Sequence, residues 1–199
     1  MLSLYLAGPK TARYPNLTIN KAFTIIELIF TISSIGVLTS IAVPTFNSFV
    51  QKTEIKTLAL RLSTSLRHAR NHAIQNQVMV IVCPINELAS NRCQPNRPRY
   101  ANWQLGWLAY ADLNNNNELD NTDDLLAVQQ VNNTAAIIFN QKGRLRFFPR
   151  GTARSAGFYF CKKQLDSTQY IRLLHTGRNR ISQKLSQKQH SECQNQLNI

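Results

Sequence analysis

The strongest constraint on this chain is an apolar run from Phe23 to Val43, in which 21 consecutive positions carry one charge, Glu27. At about 1.5 Å per helical residue, such a run spans the roughly 30 Å hydrocarbon layer of a bilayer. A carboxylate near the start of a lipid-buried helix costs a few kcal/mol unless a partner neutralises it. The run therefore predicts a membrane-spanning helix in which the Glu27 carboxylate pairs with a specific partner.

The residues at the start of this run, Lys21-Ala22-Phe23-Thr24-Ile25-Ile26-Glu27-Leu28, resemble the class III signal of type IV pilins and pseudopilins. Pro44 also falls where that family has a proline. The resemblance implies that prepilin peptidase cuts between Ala22 and Phe23, and that Phe23 becomes a methylated N-terminus. It also implies that Glu27 pairs with the terminal amine of a neighbouring pilin subunit. Ala22 departs from the usual Gly, but a small residue still fits a tight cleavage pocket.

The resemblance and the charges together predict three segments. Residues 1–22 are a removed leader, residues 23–50 are the transmembrane and filament-core half of a long helix, and residues 51–199 are a periplasmic globular domain. Three cations and no acid precede the apolar run: Lys10, Arg13 and Lys21. Positive charge on that flank places it in the cytoplasm. We expect a single-pass protein of the bacterial inner membrane that enters a pilus on assembly.

Beyond Pro44 the helix is expected to continue, because apolar residues recur at gaps of three and four. They are Ile55, Leu58, Leu62, Leu66, Ala69 and Ala73. This spacing forms one buried stripe and predicts a helix from Phe23 to about Asn76. Short β-branched and aromatic runs follow, separated by turn residues, and predict strands at 78–83, 103–111, 125–131, 135–139, 145–148, 157–161 and 170–175. We expect an α+β, type IV pilin-like fold, with the long N-terminal helix packed on a mostly antiparallel β-sheet domain.

Four cysteines lie beyond the apolar run, in the part of the chain that is expected to be exported. Cysteines form disulfides in an oxidising compartment such as the periplasm. Four cysteines allow three connectivities, and the sequence distances favour Cys83–Cys93 and Cys161–Cys193. Metal binding is the alternative, although no C-x-x-C pair is present.

Two further features have alternative interpretations. Trp103 and Trp107 alternate on one predicted strand, which favours a place in the core, whereas exposed tryptophans would stack on unpaired bases. The Asp- and Asn-rich segment 112–124 has oxygen donors at spacings like those of a calcium loop, but Asn117 stands where the sharp turn needs Gly. A solvated turn is the favoured interpretation of this segment.

Enzymatic motifs are lacking in the sequence. It contains no G-x-S-x-G, Walker loop or H-E-x-x-H, so we expect no enzyme, cofactor or metal.

Positive charge is concentrated near the C-terminus. The chain has a formal charge of +13, and residues 142–199 hold twelve Lys and Arg residues against two acids. Such clustering is typical of a polyanion binder, although a merely soluble basic surface is the alternative.

Within this region, Gly177-Arg178-Asn179-Arg180 directly follows a predicted strand. Gly opens a tight turn, and two arginines at a spacing of two point the same way from an extended segment. The segment resembles the C-terminal Gly-Arg-x-Arg motif that is implicated in holding DNA in FimT-type minor pilins. The weaker candidates for a surrounding DNA-binding patch are Lys184, Lys188, Arg144 and Arg146.

The sequence therefore predicts a minor type IV pilin of the FimT/GspH kind that binds DNA largely without sequence preference and contributes to DNA uptake in natural transformation. The alternatives are a minor pseudopilin of type II secretion and a minor pilin that only primes pilus assembly. If Cys193 bonds Cys161, we expect the Gly-Arg-Asn-Arg segment to be held as a constrained loop.

Overall fold

The structure is a computed structural model that describes residues 23–87, 91–94, 103–131, 135–162 and 168–183, with single positions at 187, 191 and 195. The predicted leader, residues 1–22, lies outside the described residues. The chain divides into two compact units, Met1–Pro44 and Thr45–Ile199.

Helix α1 (Ile25–Asn76) runs through Pro44 and ends where the apolar spacing predicted. Thr24 caps its start, because the Thr24 hydroxyl oxygen accepts a hydrogen bond from the Glu27 backbone N–H at 3.3 Å. In the first unit the apolar side chains are exposed, and the helix is long and apolar enough to cross a membrane. Ser33 and Ser34 each donate to a carbonyl oxygen four residues earlier, at 2.7 and 2.8 Å, so these hydroxyls are satisfied within the helix.

In the second unit, α1 buries the predicted stripe. All six of its residues are buried, and they pack in one core with side chains from the sheets. The hydroxyl-bearing Ser63 is also buried on this face. The periodic prediction for this part of the helix is therefore confirmed.

In the described ranges, eight strands form two antiparallel sheets. The first sheet has the order β3-β2-β1-β5 and the second has the order β4-β6-β7-β8. The strands are β1 (Met79–Pro84), β2 (Gly106–Asp112), β3 (Asp124–Gln130), β4 (Ala136–Phe139), β5 (Leu145–Phe147), β6 (Ala156–Cys161), β7 (Gln169–Leu173) and β8 (Asn179–Ser182). Seven of them match predicted strands to within a few residues, and the α+β pilin-like prediction is confirmed. The eighth strand, β8, was not predicted.

An aromatic cluster fills the core. Trp103 lies edge-on to Phe158 with ring centroids 4.9 Å apart, and Phe139 stacks on Phe158 at 4.5 Å. Trp103 and Trp107 are both buried. The core interpretation of the tryptophans is therefore confirmed, and neither ring is available to stack on a base.

Cys83 and Cys93 form the predicted disulfide, which ties the segment after β1 back to that strand beside the Ile85–Cys93 bridge. Cys161, at the end of β6, is also disulfide-bonded. Its predicted partner, Cys193, lies outside the described residues.

Candidate nucleic-acid interface

The Gly-Arg-Asn-Arg segment forms the turn and the second strand of the β7–β8 hairpin. The Leu174 N–H donates to the Arg178 carbonyl oxygen at 2.9 Å, and the Gly177 N–H donates to the Leu174 carbonyl oxygen at 2.9 Å. Gly177 closes this short loop with a φ of 72°, in the left-handed region that glycine favours. This hairpin constrains the segment, because the residues after Gly177 pair with β7. The constraint expected from a Cys161–Cys193 bond stays a prediction, because Cys193 lies outside the described residues.

Gly177 is required by space as well as by conformation. A Cβ atom at this position would lie 2.0 Å from the Gly151 carbonyl oxygen and 2.9 Å from Nε of Arg70. The 174–178 loop therefore lies too close to the neighbouring turn at 148–152 for a side chain at position 177.

Arg70 of α1 joins these two turns. Its Nε donates to the Gly151 carbonyl oxygen at 3.0 Å and to the Thr176 carbonyl oxygen at 3.1 Å. The Ala153 N–H adds a third link by donating to the His175 carbonyl oxygen at 3.0 Å. The helix thus fixes the position of the hairpin loop.

Asn179 anchors the middle of the motif. Its side chain is buried, and its Nδ2 donates to the Ser63 carbonyl oxygen at 2.8 Å and to the Ser63 hydroxyl at 3.1 Å. Its Oδ1 accepts a hydrogen bond from Nε of Arg67 at 3.2 Å. Leaving either the oxygen or the nitrogen of a buried amide unpaired costs about 1–3 kcal/mol. These hydrogen bonds therefore fix the position of the Asn179 side chain.

Arg178 and Arg180 point away from this anchor. Successive residues of a strand face opposite sides, so burying Asn179 leaves the two arginines exposed. Neither guanidinium has a hydrogen bond or ion pair to another residue in the described ranges.

Arg172 of β7 lies directly opposite Arg180 in the strand pairing, and it is exposed too. Like charges directly opposite one another on antiparallel strands are destabilising. Arg172 is not among the site residues predicted from the sequence, because the register of two strands cannot be read from composition. Together Arg172, Arg178 and Arg180 form what we call the hairpin arginine patch.

Of the weaker candidates, the structure describes Arg144 and Arg146, and these two lie at the other sheet. Arg144 and Arg146 belong to the β5 region at the edge of the first sheet, whereas β8 is an edge of the second sheet. Lys184 and Lys188 lie outside the described residues.

Arg144 holds the Asn-rich segment. Its guanidinium donates to the Asn117 carbonyl oxygen, to the Gln94 carbonyl oxygen at 3.3 Å and to the Tyr110 hydroxyl at 3.5 Å. Burial raises the pKa of Tyr110 to about 12, although the charge of Arg144 opposes this shift. Arg144 therefore links the first sheet to the loop that follows β2.

The carboxylates of the Asn-rich segment bind the segment itself. Asp112 accepts a hydrogen bond from the Asn117 N–H at 3.0 Å, and Asp123 accepts one from the Leu113 N–H at 3.0 Å. Hydrogen bonds from Thr122, and then from Asn114 and Asn116, hold the pKa of Asp120 well below its usual range. These contacts suit a solvated turn, and within the described ranges no cluster of three or more His, Cys, Asp or Glu side chains could hold a metal ion.

A long helix with an apolar first half, followed by antiparallel sheets, defines the class of pilin-type subunits. The family described as Type II transport protein GspH matches residues 58–177, which is more than half of the chain. The chain therefore belongs to the GspH family of pilins and pseudopilins.

Two solved structures share the fold, both crystal structures of the type IV minor pilin FimU of Pseudomonas aeruginosa strain PAO1. The form in space group P21 has a TM-score of 0.50 and 16% identity, and the match covers 69% of this chain and 92% of FimU. The form in space group P65 has the same score and identity, with 66% and 97% covered. None of the curated protein sequences matches the chain significantly.

Proposed function

We propose that the chain is a minor type IV pilin that binds DNA largely without sequence preference and contributes to DNA uptake in natural transformation. The observation that carries this proposal is the alternation in Gly177-Arg178-Asn179-Arg180. Gly177 and Asn179 are buried, and Asn179 is hydrogen-bonded to Ser63 of α1, while Arg178 and Arg180 are exposed and lack partners among the described residues.

The chemistry of the hairpin arginine patch suits a phosphate backbone. Each guanidinium offers a planar fork that can donate two parallel hydrogen bonds to one phosphate. Contacts to phosphates carry no sequence information, which accounts for the proposed lack of preference. An anion placed between Arg172 and Arg180 also removes the repulsion between these two cations.

The membrane part of the proposal follows the signal at the start of the apolar run. Prepilin peptidase would cut between Ala22 and Phe23, Phe23 would be methylated, and Glu27 would contact the terminal amine of a neighbouring subunit. The segment 23–50 would anchor the protein in the inner membrane and later enter the filament core. The domain 51–199 would then face the periplasm, where DNA arrives during uptake.

The test is gel retardation of duplex DNA by the full-length chain in non-ionic detergent. We expect Arg178→Gln combined with Arg180→Gln to abolish retardation, because two phosphate contacts are lost. A matched control changes two exposed cations of α1, Lys56→Gln with Arg61→Gln, and should retain binding. Circular dichroism checks that both variants are folded. DNA binding by the first variant equal to that of the wild type would refute the site.

A second candidate is favoured by the family match, whose description refers to type II transport. In that case the chain would be a minor pseudopilin of a secretion system, and deleting its gene would abolish protein secretion while the purified chain ignores DNA. A minor pilin that only primes assembly is distinguished by loss of pili in the same deletion strain. DNA binding that depends on Arg178 and Arg180 would argue against both.

A further inference from the structure

A small cavity lies beside the turn that joins β4 to β5, where the chain passes from the second sheet to the first. Its volume is about 190 Å³, and its walls include Phe139 of β4 and Leu145 of β5. Four cations line it: Lys142, Arg144, Arg146 and Arg154. None of the described residues that line the cavity is an acid.

Two of these arginines have buried nitrogen atoms without a partner. Nε of Arg144 and Nε of Arg146 are both inaccessible to solvent and donate no hydrogen bond to any described residue. The terminal nitrogens of Arg144 are occupied by carbonyl oxygens, but Arg146 has no hydrogen bond at all within the described part of the chain. The terminal nitrogens of Arg146 are not among these buried atoms and have no partner in the described ranges, so they remain available to donate to a ligand in the cavity.

The apolar walls strengthen any charge interaction inside the cavity. Phe139 is buried, and Phe148, at the rim, is about half exposed. Phenyl rings displace water and lower the effective dielectric constant, which makes a contact between a guanidinium and an anion stronger than it would be on an open surface. The cavity also has room for a group of several heavy atoms.

We propose that this cavity is a binding site for a phosphate group. Arg146 donates from its two terminal nitrogens to two oxygens of the phosphate, and Arg154 and Lys142 supply further positive charge at the opening. The proposal goes beyond the hairpin arginine patch and does not depend on it, because β4 and β8 are opposite edges of the second sheet.

The test is calorimetric titration of inorganic phosphate into the full-length chain in non-ionic detergent, at constant ionic strength with chloride as the balancing anion. We expect saturable binding by the wild type, at least tenfold weaker binding by Arg146→Gln, and several-fold weaker binding by Arg154→Gln. Arg154 is exposed, so its variant tests the site even if Arg146→Gln fails to fold.

The variant Arg178→Gln with Arg180→Gln is the matched control and should bind phosphate as the wild type does. This variant separates the two proposals. The proposed function predicts that it loses DNA binding, and the phosphate-site proposal predicts that it keeps phosphate binding. Absence of saturation by about 10 mM phosphate, tenfold above a Kd of 1 mM, would overturn the proposal. Equal binding by the wild type, Arg146→Gln and Arg154→Gln would also overturn it.

The source of the phosphate group is settled by a second measurement on Arg146→Gln with Arg154→Gln. Duplex DNA retardation that weakens tenfold together with phosphate binding assigns the cavity to the DNA backbone. Unchanged DNA retardation with weakened phosphate binding assigns it to a free phosphate-bearing ligand. Both results support the phosphate site itself.

Discussion

The side-chain amide of Asn179 donates a hydrogen bond to the backbone carbonyl oxygen of Ser63 at 2.8 Å, across 116 positions of the chain. Both groups are buried. The contact joins the middle of the hairpin motif to the helix on which the sheets pack.

Replacing Asn179 should therefore destabilise the domain. Asn179→Ala leaves the Ser63 carbonyl oxygen and Nε of Arg67 without this partner, which we expect to lower the free energy of unfolding by about 1–3 kcal/mol. Thermal unfolding followed by circular dichroism measures the loss. Gln183→Ala, an exposed polar residue just after β8, is the matched control and should change stability little. Equal melting temperatures for the two variants would contradict the anchoring role.

Gly177 should tolerate no side chain. Gly177→Ala places a methyl group against the Gly151 carbonyl oxygen in a left-handed conformation, so we expect a loss of about 2 kcal/mol or more. Gly36→Ala is the control, since nothing lies within 4 Å of a Cβ at that helical position. Denaturant unfolding measures both, and a fully stable Gly177→Ala would show that the loop can rearrange.

Arg172→Gln should separate stability from binding. Removing one of two facing cations relieves repulsion, so the domain should gain a few tenths of a kcal/mol. The same change should weaken DNA binding and lower the slope of log K against log salt by about 0.9, the value for one phosphate contact. Arg61→Gln, an equal charge change on α1, should leave the slope unaltered. A salt slope in Arg172→Gln that equals the wild-type slope would remove Arg172 from the patch.

The disulfide between Cys83 and Cys93 closes a short loop. By the loop-entropy relation, losing it should cost roughly 3 kcal/mol, so Cys83→Ala with Cys93→Ala should melt well below the wild type. Adding reductant to this variant tests the other bonded cysteine, Cys161, separately. A variant that melts at the wild-type temperature would show that this bridge adds no stability.

The stability of the domain at alkaline pH should depend on the ionisation of Tyr110. Its pKa is about 12 in the folded chain and 10 ordinarily, so the folded state holds this proton more tightly. The resulting stabilisation is complete below pH 10 and is lost as pH rises towards 12. Tyr110→Phe should remove that part of the pH dependence, measured by denaturant unfolding at pH 9 to 12. Parallel curves for the two proteins would contradict the burial of the hydroxyl.

Local patterns were enough to predict the helix and most strands. The spacing of Ile55 through Ala73 defined a stripe that is buried throughout, and Trp103 and Trp107 lie in the core as expected. These features depend on residues close together in sequence, for which period and composition carry the information.

Features that depend on strand register or on tertiary contacts were not predictable. Strand β8 is short and polar, and it exists because β7 offers an edge to pair with. Asn179 pairs with Ser63 across 116 positions of the chain, and the facing of Arg172 and Arg180 depends on the register of the β7–β8 hairpin, which composition does not show. Arg144 and Arg146 look alike in sequence, yet only Arg144 is hydrogen-bonded to a described loop.

Because Arg172 and Arg180 face each other, the melting temperature of the domain should depend on bound polyanions and on the salt concentration. Since the folded chain holds two cations side by side, a bound polyanion such as heparin should raise the melting temperature at low salt, and rising salt alone should do the same through screening. Without added ligand, the melting temperature should therefore be lowest in dilute buffer without added salt.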